Sequence, residues 1–321
     1  MPDVAVAVAS HDRPVRLRWL LNALEEQTLD RDRFEVIVVH DSPGGETARL
    51  LAEHPLGAAG ILRGAQTPRP STLAAMRNAG WRAARAGLVA FTDDDCRPRV
   101  EWLEGLLAAA ESRPGAVIQG RTVPDPDEVG LLWAAPWART VEVDPPTAWG
   151  ETCNIAYPVE LLEGLGGFDE RLRRPAGEDA ELAARARAAG SELVPAPDAI
   201  VYHAVHTPWL GGRLAWSWRW EQLALVVGRH PELRRHLPGR IWWRPEHAAL
   251  ALAAAGAALA PRRRELAALA APWLALAMRH RGYGPRGLAR SALELPGRAA
   301  IDASEVAALA WGSLRHRSLL L

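Results

Sequence analysis

The stretch Leu88-Val89-Ala90-Phe91-Thr92-Asp93-Asp94-Asp95 joins an apolar run to three consecutive carboxylates. A short apolar run is typical of a buried strand, and ligands of open α/β sheets bind just beyond the carboxyl ends of such strands. Because adjacent carboxylates resist ionising together, we expect a cation to balance their charge. A hard divalent ion such as Mg²⁺ binds oxygen ligands and keeps coordination positions open for phosphate. The stretch predicts a metal–diphosphate site, with a solvated acidic turn as the alternative.

Strand and helix patterns alternate through the first half of the chain. Val4–Ala9 and Phe34–Val39 are apolar runs typical of buried strands, and the helix that begins at Pro14 carries its leucines on one face. Further strands are predicted at 61–62, 116–118, 152–156 and 199–202, and further helices at about 71–86, with Ser71 as N-cap, and at about 100–111. Repeated strand–helix units predict an α/β fold with a mainly parallel sheet and helices on both faces.

The composition limits the class of function. Among the 321 residues, 38 basic residues, all arginine, balance 38 acidic residues, so a general nucleic-acid partner is not expected, since that function needs a basic face. The two cysteines, Cys96 and Cys153, favour a reducing compartment over a disulfide framework. The chain enters its first strand without a signal-peptide pattern, which predicts a cytoplasmic location.

Seven short blocks follow one another in a fixed order over residues 4–206. They are Val4–Ser10 with Arg13-Pro14, Glu35–Ser42, Arg77–Gly80, Asp93–Asp95, Gly166–Glu170, Gly177–Leu182 and Tyr202-His203. In this order they resemble the family-2 inverting glycosyltransferases of the GT-A fold. The resemblance implies a Rossmann-like, mainly parallel sheet flanked by helices. Ala9 and His40 depart from the family pattern, because relatives often carry a hydroxyl residue and an Asp there.

The resemblance also implies a division of the chain. Residues 1–206 would form the GT-A catalytic domain, in which 1–123 bind the nucleotide-sugar and 124–206 bind the acceptor. Residues 207–321 would form a mainly helical C-terminal extension. The segment 124–150 is rich in Pro and Trp and breaks the strand–helix rhythm. It is either a mobile connection over the site or an ordered packing loop.

Four residues match the donor-binding positions of the family. Asp41 would accept a hydrogen bond from the nucleobase, although a helix-capping role is the alternative. Arg77 would face the diphosphate, because a guanidinium suits phosphate geometry; a surface Arg paired to a carboxylate is the alternative. Asp93 would lie nearer the ribose, and Asp94 would also contact the donor.

The metal ligands implied by the resemblance are Asp95, Asp93 and His203. Asp95 is expected to bind Mg²⁺ or Mn²⁺ directly, and Asp93 directly or through a metal-bound water. His203 follows an apolar strand and matches a late histidine of the family, which can approach the metal or the diphosphate. A structural histidine is the alternative for this position.

The catalytic base implied by the resemblance is Asp179. An inverting reaction needs a carboxylate beside the acceptor hydroxyl, on the face of the sugar opposite the leaving diphosphate. Glu178 would orient this base or contact the acceptor, and Trp149 and Asn154 would belong to the acceptor pocket. Without the resemblance, Glu178-Asp179 would simply be acids that favour the first turn of a helix.

The family motifs stop after His206. Two runs rich in Ala and Leu, Ala248–Ala260 and Leu266–Met278, are separated by Pro261-Arg262-Arg263-Arg264, and each is shorter than the ~20 apolar residues of a spanning helix. They are either a packed helical pair or a hairpin that lies on a membrane. The second interpretation predicts peripheral membrane association through residues 242–280, at the inner face of the cell membrane.

The predicted function is a metal-dependent, inverting transfer of a sugar from a nucleoside diphosphate donor to an acceptor hydroxyl. The acceptor would be a saccharide or a lipid-linked glycan, as in polysaccharide or cell-envelope biosynthesis. A nucleotidyltransferase that acts on a sugar phosphate, and a non-catalytic membrane or partner adaptor, are the alternatives.

Overall fold

The computed structural model describes all residues from Met1 to Leu321, and the chain divides into two compact units. The N-terminal unit comprises Met1–Gly130 and Arg139–His206, and the C-terminal unit comprises Leu131–Ala138 and Thr207–Leu321. The segment predicted as the acceptor-binding half, 124–206, is therefore divided between the two units.

The N-terminal unit is built on one mixed sheet of eight strands. They are β1 (Val4–Ser10), β2 (Phe34–His40), β3 (Leu62–Gln66), β4 (Leu88–Asp93), β5 (Cys96–Pro98), β6 (Val117–Pro124), β7 (Ile155–Pro158) and β8 (Leu193–His203). The strand order is β3-β2-β1-β4-β7-β6-β8-β5. The first four are mutually parallel, β7 is antiparallel to both of its neighbours, β6 and β8 are parallel, and β5 is antiparallel to β8. This architecture confirms the predicted α/β class.

Helices connect and cover the strands. They are α1 (Pro14–Glu25), α2 (Gly45–Glu53), α3 (Pro55–Ala58), α4 (Leu73–Arg82), α5 (Trp102–Ser112), α7 (Val159–Leu165) and α8 (Glu178–Ala188). The short helix α6 (Gly130–Ala134) belongs, apart from Gly130, to the C-terminal unit. The prediction for α4 was wrong at both ends. Thr72, not Ser71, is the N-cap, since its hydroxyl accepts from the N–H of Ala75 at 3.1 Å, and the helix ends at Arg82.

The core lies on both faces of the sheet, which explains why β1 and β2 are mostly apolar and are buried along their whole length. Alternate residues of β1 join two different clusters, one with the leucines of α1 and the other with Met76 and Trp81 of α4. On the α4 side β1 carries only alanines, and a Cβ on Gly80 would lie 3.3 Å from the Cβ of Ala7. These small side chains let α4 pack close to the sheet.

The C-terminal unit is helical. Its helices are α9 (Leu210–Ser217), α10 (Leu223–Arg229), α11 (Pro245–Leu259), α12 (Ala271–Met278) and α13 (Pro285–His316), with 3₁₀ segments at Trp218–Gln222, Pro231–His236, Pro238–Arg240, Arg264–Ala270 and Arg279–Arg281. The two apolar runs of the tail thus form α11 and, after a 3₁₀ segment, α12. None of the helices combines the length and the apolar character needed to cross a bilayer.

The segment Leu131–Ala138 is fixed within the C-terminal unit by two arginines. Arg281 donates to the carbonyls of Leu132 at 2.5 Å and Ala135 at 2.8 Å, and Arg290 donates to the carbonyl of Ala134 at 2.7 Å. Part of the Pro- and Trp-rich connection is therefore an ordered packing segment.

Candidate active site

The carboxyl ends of three parallel strands meet at one edge of the sheet. Ser10 of β1 lies in register with His40 of β2, and Ala9 lies in register with Asp93 of β4. Asp41 follows β2 directly, and Asp94 and Asp95 follow β4. The fold thus brings the predicted donor-binding and metal-binding carboxylates to the same edge, as expected for an open α/β sheet.

Asp94 joins β4 to the loop after β1. It accepts hydrogen bonds from the Ser10 hydroxyl at 2.9 Å, the His11 backbone N–H at 3.2 Å and the Arg13 guanidinium at 3.2 Å. Burial, followed by the negative charge of Asp95, raises the pKa of Asp94 to about 6. These contacts are those of a residue that orders the loop around the site.

Asp95 lies among three cationic or potentially cationic groups. It accepts from the Arg13 guanidinium at 2.7 Å and from Nε2 of His206 at 2.8 Å, and Nε2 of His203 lies 3.6 Å from its other oxygen. Burial opposes ionisation of Asp95, but the hydrogen bond from His206 and the charges of His203 and Arg13 hold its pKa well below the usual value. The carboxylate form needed for metal binding is therefore strongly favoured.

The donor set at Asp95 suits a divalent ion. Nδ1 of His203 lies 2.9 Å from the carbonyl of Ala204, which can only accept, so Nδ1 carries the hydrogen. Nε2 of His203 and the Asp95 carboxylate are then both acceptors unless a proton on Nε2, or a divalent ion in its place, lies between them. Ligand atoms of Asp95, His203 and His206 lie within 4.8 Å of one another.

His206 is the candidate ligand that the sequence analysis missed. It follows His203 by three residues, and its backbone pairs with Arg139 at 2.8 and 2.9 Å, which fixes its position. The spacing of the two histidines is a usable signal, because His203 ends β8 and His206 follows it at the edge where Asp95 lies. Asp93, by contrast, is not part of this cluster of ligand atoms.

A second group of metal-ligating side chains is already neutralised. His247, Asp302 and Glu305 lie together in the C-terminal unit. Arg213 donates to Glu305 at 2.7 Å, and Arg244 contacts both Glu305 and Asp302. Because two buried carboxylates already face two guanidinium groups, this cluster is a structural ion-pair network.

Arg77 connects the strand-end carboxylates to the start of α8. It is 4% exposed, and it donates to Asp93 at 2.9 Å and to Glu178 at 2.7 Å. Burial lowers its pKa, but the charges of Asp93 and Glu178 outweigh that effect and raise it overall. Through this bridge Asp179, the neighbour of Glu178, lies on the same side of the molecule as the Asp93–Asp95 triplet.

Asp179 lies in the first turn of α8. Gly177 precedes the helix with φ +88°, a conformation that favours glycine. Burial, followed by the negative charge of Glu178, raises the pKa of Asp179 to about 8. One carboxylate oxygen of Glu178 accepts from Arg77, and the other is buried without a hydrogen-bond partner. An unsatisfied buried carboxylate oxygen next to a proton-binding acid is typical of a functional site.

The Gly166–Glu170 block has a structural explanation. Asn78 of α4 donates to the Phe168 carbonyl at 2.9 Å and accepts from the Phe168 N–H at 2.8 Å. A Cβ on Gly167 would lie 2.3 Å from the side-chain oxygen of Asn78, and its φ is +73°. This block therefore fixes the turn that leads to α8.

The two predicted acceptor residues from the middle of the chain differ in environment. Trp149 is partly exposed and precedes Gly150. Asn154 is 1% exposed, its amide nitrogen donates to the carbonyls of Arg121 and Ala199 at 2.8 Å, and its oxygen accepts from the indole of Trp102 at 2.8 Å. Both hydrogens of the amide nitrogen are thus engaged within the protein, and the contact of Asn154 with an acceptor stays a prediction.

Asp41 is covered by His11. Its two oxygens accept from Nδ1 of His11 at 2.5 Å and from the N–H of Ser71 at 3.3 Å, and the residue is 2% exposed. Burial raises the pKa of Asp41, yet the hydrogen bonds from His11 and Ser71 hold it below its usual value. Since an ionised carboxylate only accepts, Nδ1 of His11 carries the hydrogen and, in the neutral ring, Nε2 is a free acceptor.

The mixed sheet with helices on both faces defines a protein of the GT-A fold class. Residues 5–155 match the family described as Glycosyl transferase family 2. This match covers 151 of the 321 residues and supports the resemblance that the sequence predicted.

Relatives with known names agree with this match. The chain is 27% identical over 222 residues to validoxylamine A glucosyltransferase of Streptomyces hygroscopicus subsp. jinggangensis, and the alignment covers 59% of this chain and 52% of that protein. It is 27% identical over 243 residues to pre-mycofactocin glycosyltransferase of Mycobacterium tuberculosis, with coverages of 72% and 48%. The chain spans about half the length of these curated relatives.

A solved structure shares the fold. The mannosyltransferase PcManGT from Pyrobaculum calidifontis, in complex with GDP-Man and Mn²⁺, superimposes with a TM-score of 0.56 at 22% sequence identity. The match covers 98% of this chain and 87% of the other. At this level of identity the likeness is one of fold.

Proposed function

We propose that the protein transfers a sugar from a nucleoside diphosphate to an acceptor hydroxyl, with inversion at the anomeric carbon. The observation that carries the proposal is the bridge from Asp93 through Arg77 to Glu178. It supports a single site in which the carboxylates Asp93–Asp95 and the acid Asp179 act on one substrate. The glycosyltransferase names of the relatives support the same class of reaction.

Asp95, His203 and His206 are the residues that would hold Mg²⁺ or Mn²⁺. When bound, the ion would neutralise charge on the departing diphosphate as a Lewis acid. Mn²⁺ in the PcManGT complex is consistent with this assignment. Arg13, which reaches Asp94 and Asp95 from the loop after β1, would add positive charge on the same side. In this proposal Asp93 acts nearer the ribose, and Arg77 orients it.

Asp179 would act as the general base. In its ionised form it would take the proton of the acceptor hydroxyl as that oxygen attacks the face of the sugar opposite the diphosphate. A pKa near 8 suits this task, because a base works best when its pKa lies close to the operating pH. The unpartnered oxygen of Glu178 and the exposed part of Trp149 are the groups we assign to acceptor contacts, with Trp149 stacking on a sugar ring.

The nucleobase would be recognised by Asp41 acting through His11. Both oxygens of Asp41 are already engaged, so the free acceptor is Nε2 of His11, whose side chain is 54% exposed. Such an acceptor pairs with an imide or amide N–H. Uracil, thymine and guanine each present one on the Watson–Crick edge. We therefore expect donors of the UDP, dTDP or GDP type, with a saccharide or lipid-linked glycan as acceptor.

A screen of nucleotide-sugars for hydrolysis and transfer, with and without Mn²⁺, tests the proposal. Release of a nucleoside diphosphate that depends on the metal and on Asp179 is the expected result. Release of pyrophosphate from a nucleoside triphosphate would instead identify a nucleotidyltransferase. Absence of any thermal stabilisation by UDP, dTDP or GDP with Mn²⁺ would favour the adaptor interpretation.

A further inference from the structure

Helix α11 carries an exposed face that is entirely apolar. Its exposed residues between 251 and 259, which we call the α11 face, are Ala251, Leu252, Ala254, Ala255, Ala257, Ala258 and Leu259. Leu252 and Leu259 are 48% and 44% exposed, and no polar or charged side chain occurs from Ala248 to Ala260. In a globular helix, an apolar stripe of this spacing ordinarily faces the core.

The opposite side of α11 accounts for its packing within the C-terminal unit. Ala249 joins a small core with Trp273 and Ala277 of α12, and a Cβ on Gly256 would lie 2.5 Å from the carbonyl of Leu266. The helix is therefore held in place without use of the α11 face. That face is left for a partner outside this unit.

Three arginines follow the α11 face after Ala260 and Pro261. Arg262, Arg263 and Arg264 are exposed, and none of their guanidinium groups pairs with a carboxylate. Arg213 and Arg244 of the same unit, by contrast, pair with Glu305. An unpaired cationic cluster beside an exposed apolar face is complementary to an anionic lipid headgroup region above acyl chains.

We propose that the α11 face and Arg262–Arg264 form a membrane-binding surface that selects anionic bilayers. In this arrangement Leu252 and Leu259 enter the boundary between headgroups and acyl chains, and the arginines contact lipid phosphates. The partner is the anionic headgroup layer of a glycerophospholipid bilayer, and not a protein or a second copy of the chain. The reason is that the cluster is positively charged and has no acidic neighbour in the sequence except Glu265. The surface would hold the enzyme at the inner face of the cell membrane.

Vesicle co-sedimentation of the full chain tests this surface. We expect binding to vesicles of phosphatidylcholine mixed equally with phosphatidylglycerol, little binding to pure phosphatidylcholine, and loss of binding at high salt. Leu252→Glu combined with Leu259→Glu should abolish binding. Replacing the three arginines by Gln should weaken it about tenfold or more.

The matched control is Leu293→Glu, which places a carboxylate on a leucine of α13 that is 83% exposed and should leave binding unchanged. Circular dichroism of each variant reports whether it has folded. Equal binding of the wild-type chain to both vesicles or to neither would overturn the proposal, as would a dimer in solution that Leu252→Glu dissociates. Asp179→Asn should bind vesicles normally, so this test is separate from that of the transfer reaction.

Discussion

The guanidinium of Arg77 lies 2.7 Å from the carboxylate of Glu178, although the two residues are 101 positions apart in the chain. The same guanidinium contacts Asp93. This buried contact joins the end of β4, where the proposed donor site lies, to the start of α8, where the proposed base lies. Both binding and catalysis should therefore respond to its loss.

Replacing Arg77 by Met should destabilise the protein by about 3–5 kcal/mol, because it leaves the buried carboxylate of Glu178 without its partner. Chemical unfolding measures the loss. Arg77→Lys keeps the charge but not the two-pronged geometry, so it should recover part of the stability while weakening nucleoside diphosphate binding. Arg82→Met, on the same helix and half exposed, should change both quantities little.

Asp179→Asn should slow transfer by ~10²–10⁴-fold and leave nucleotide affinity unchanged, because general-base catalysis is lost but the donor site is intact. Single-turnover transfer and calorimetric titration with the nucleoside diphosphate provide the two measurements. Asp198→Asn, which removes an exposed carboxylate, is the control. Near-normal transfer by Asp179→Asn would rule out the role of base.

The same substitution should raise stability at alkaline pH. The pKa of Asp179 is higher in the folded protein than in the unfolded chain, so its contribution to stability is complete below the unfolded value and is lost as pH rises through about 8. Asn resembles the protonated acid and does not ionise. The melting temperature of Asp179→Asn should therefore exceed that of the wild type at about pH 9 and match it near pH 4.

The pH profile of transfer should have an acidic limb set by Asp179. Since the base acts when ionised, kcat/KM should fall about tenfold per pH unit below a pKa near 8. Glu178→Gln removes the neighbouring negative charge and should move this limb to lower pH. Glu192→Gln alters only an exposed acid and should leave the limb in place. A limb that does not move in Glu178→Gln would contradict the assignment.

His206→Ala should weaken Mn²⁺ binding by ~10–100-fold or more. That is the loss observed when a residue that hydrogen-bonds to a metal ligand is removed, and a direct ligand should matter at least as much. The measurement is the loss of the free Mn²⁺ electron paramagnetic resonance signal on titration with protein. His280→Ala removes an exposed histidine outside both clusters and should have no effect. An unchanged affinity in His206→Ala would restrict the site to Asp95 and His203.

His11→Phe should reduce discrimination among nucleobases, since it removes the acceptor Nε2 but keeps an aromatic ring. The wild-type protein should bind UDP or GDP more tightly than CDP or ADP, and His11→Phe should bring these affinities closer together. Asp41→Asn should have a similar effect, because an amide permits either orientation of the His11 proton. Thermal shift in the presence of Mn²⁺ follows all four ligands.

The sequence was sufficient for those parts of the site that depend on strand ends. Asp41 and Asp93–Asp95 each follow an apolar run, and parallel pairing brings the ends of such runs to one edge. The order of the motifs then indicated the family. The placement of these carboxylates depends on short segments of the chain, and the family resemblance depends on the order of its motifs.

Long-range contacts were beyond such reasoning. His203 approaches Asp95 because β5, a strand of three residues, pairs antiparallel with β8 and sets Cys96 opposite His203. A strand this short has no periodicity to detect. Asn154 was assigned to the acceptor pocket by position in the family, whereas its burial and its bonds to three separate elements depend on the packed sheet.

The octapeptide Leu131–Ala138 limits how the protein can be dissected. A chain cut after His206 would retain this octapeptide but lose Arg281 and Arg290, the donors that satisfy its carbonyls. Trp133 and Trp137 would then remain without their native surroundings, and Trp137 packs against Gly297 of α13. Truncation would thus expose an apolar segment with unsatisfied carbonyls between β6 and β7. Poor solubility of such a fragment would therefore say nothing about whether the remaining sheet can catalyse a reaction.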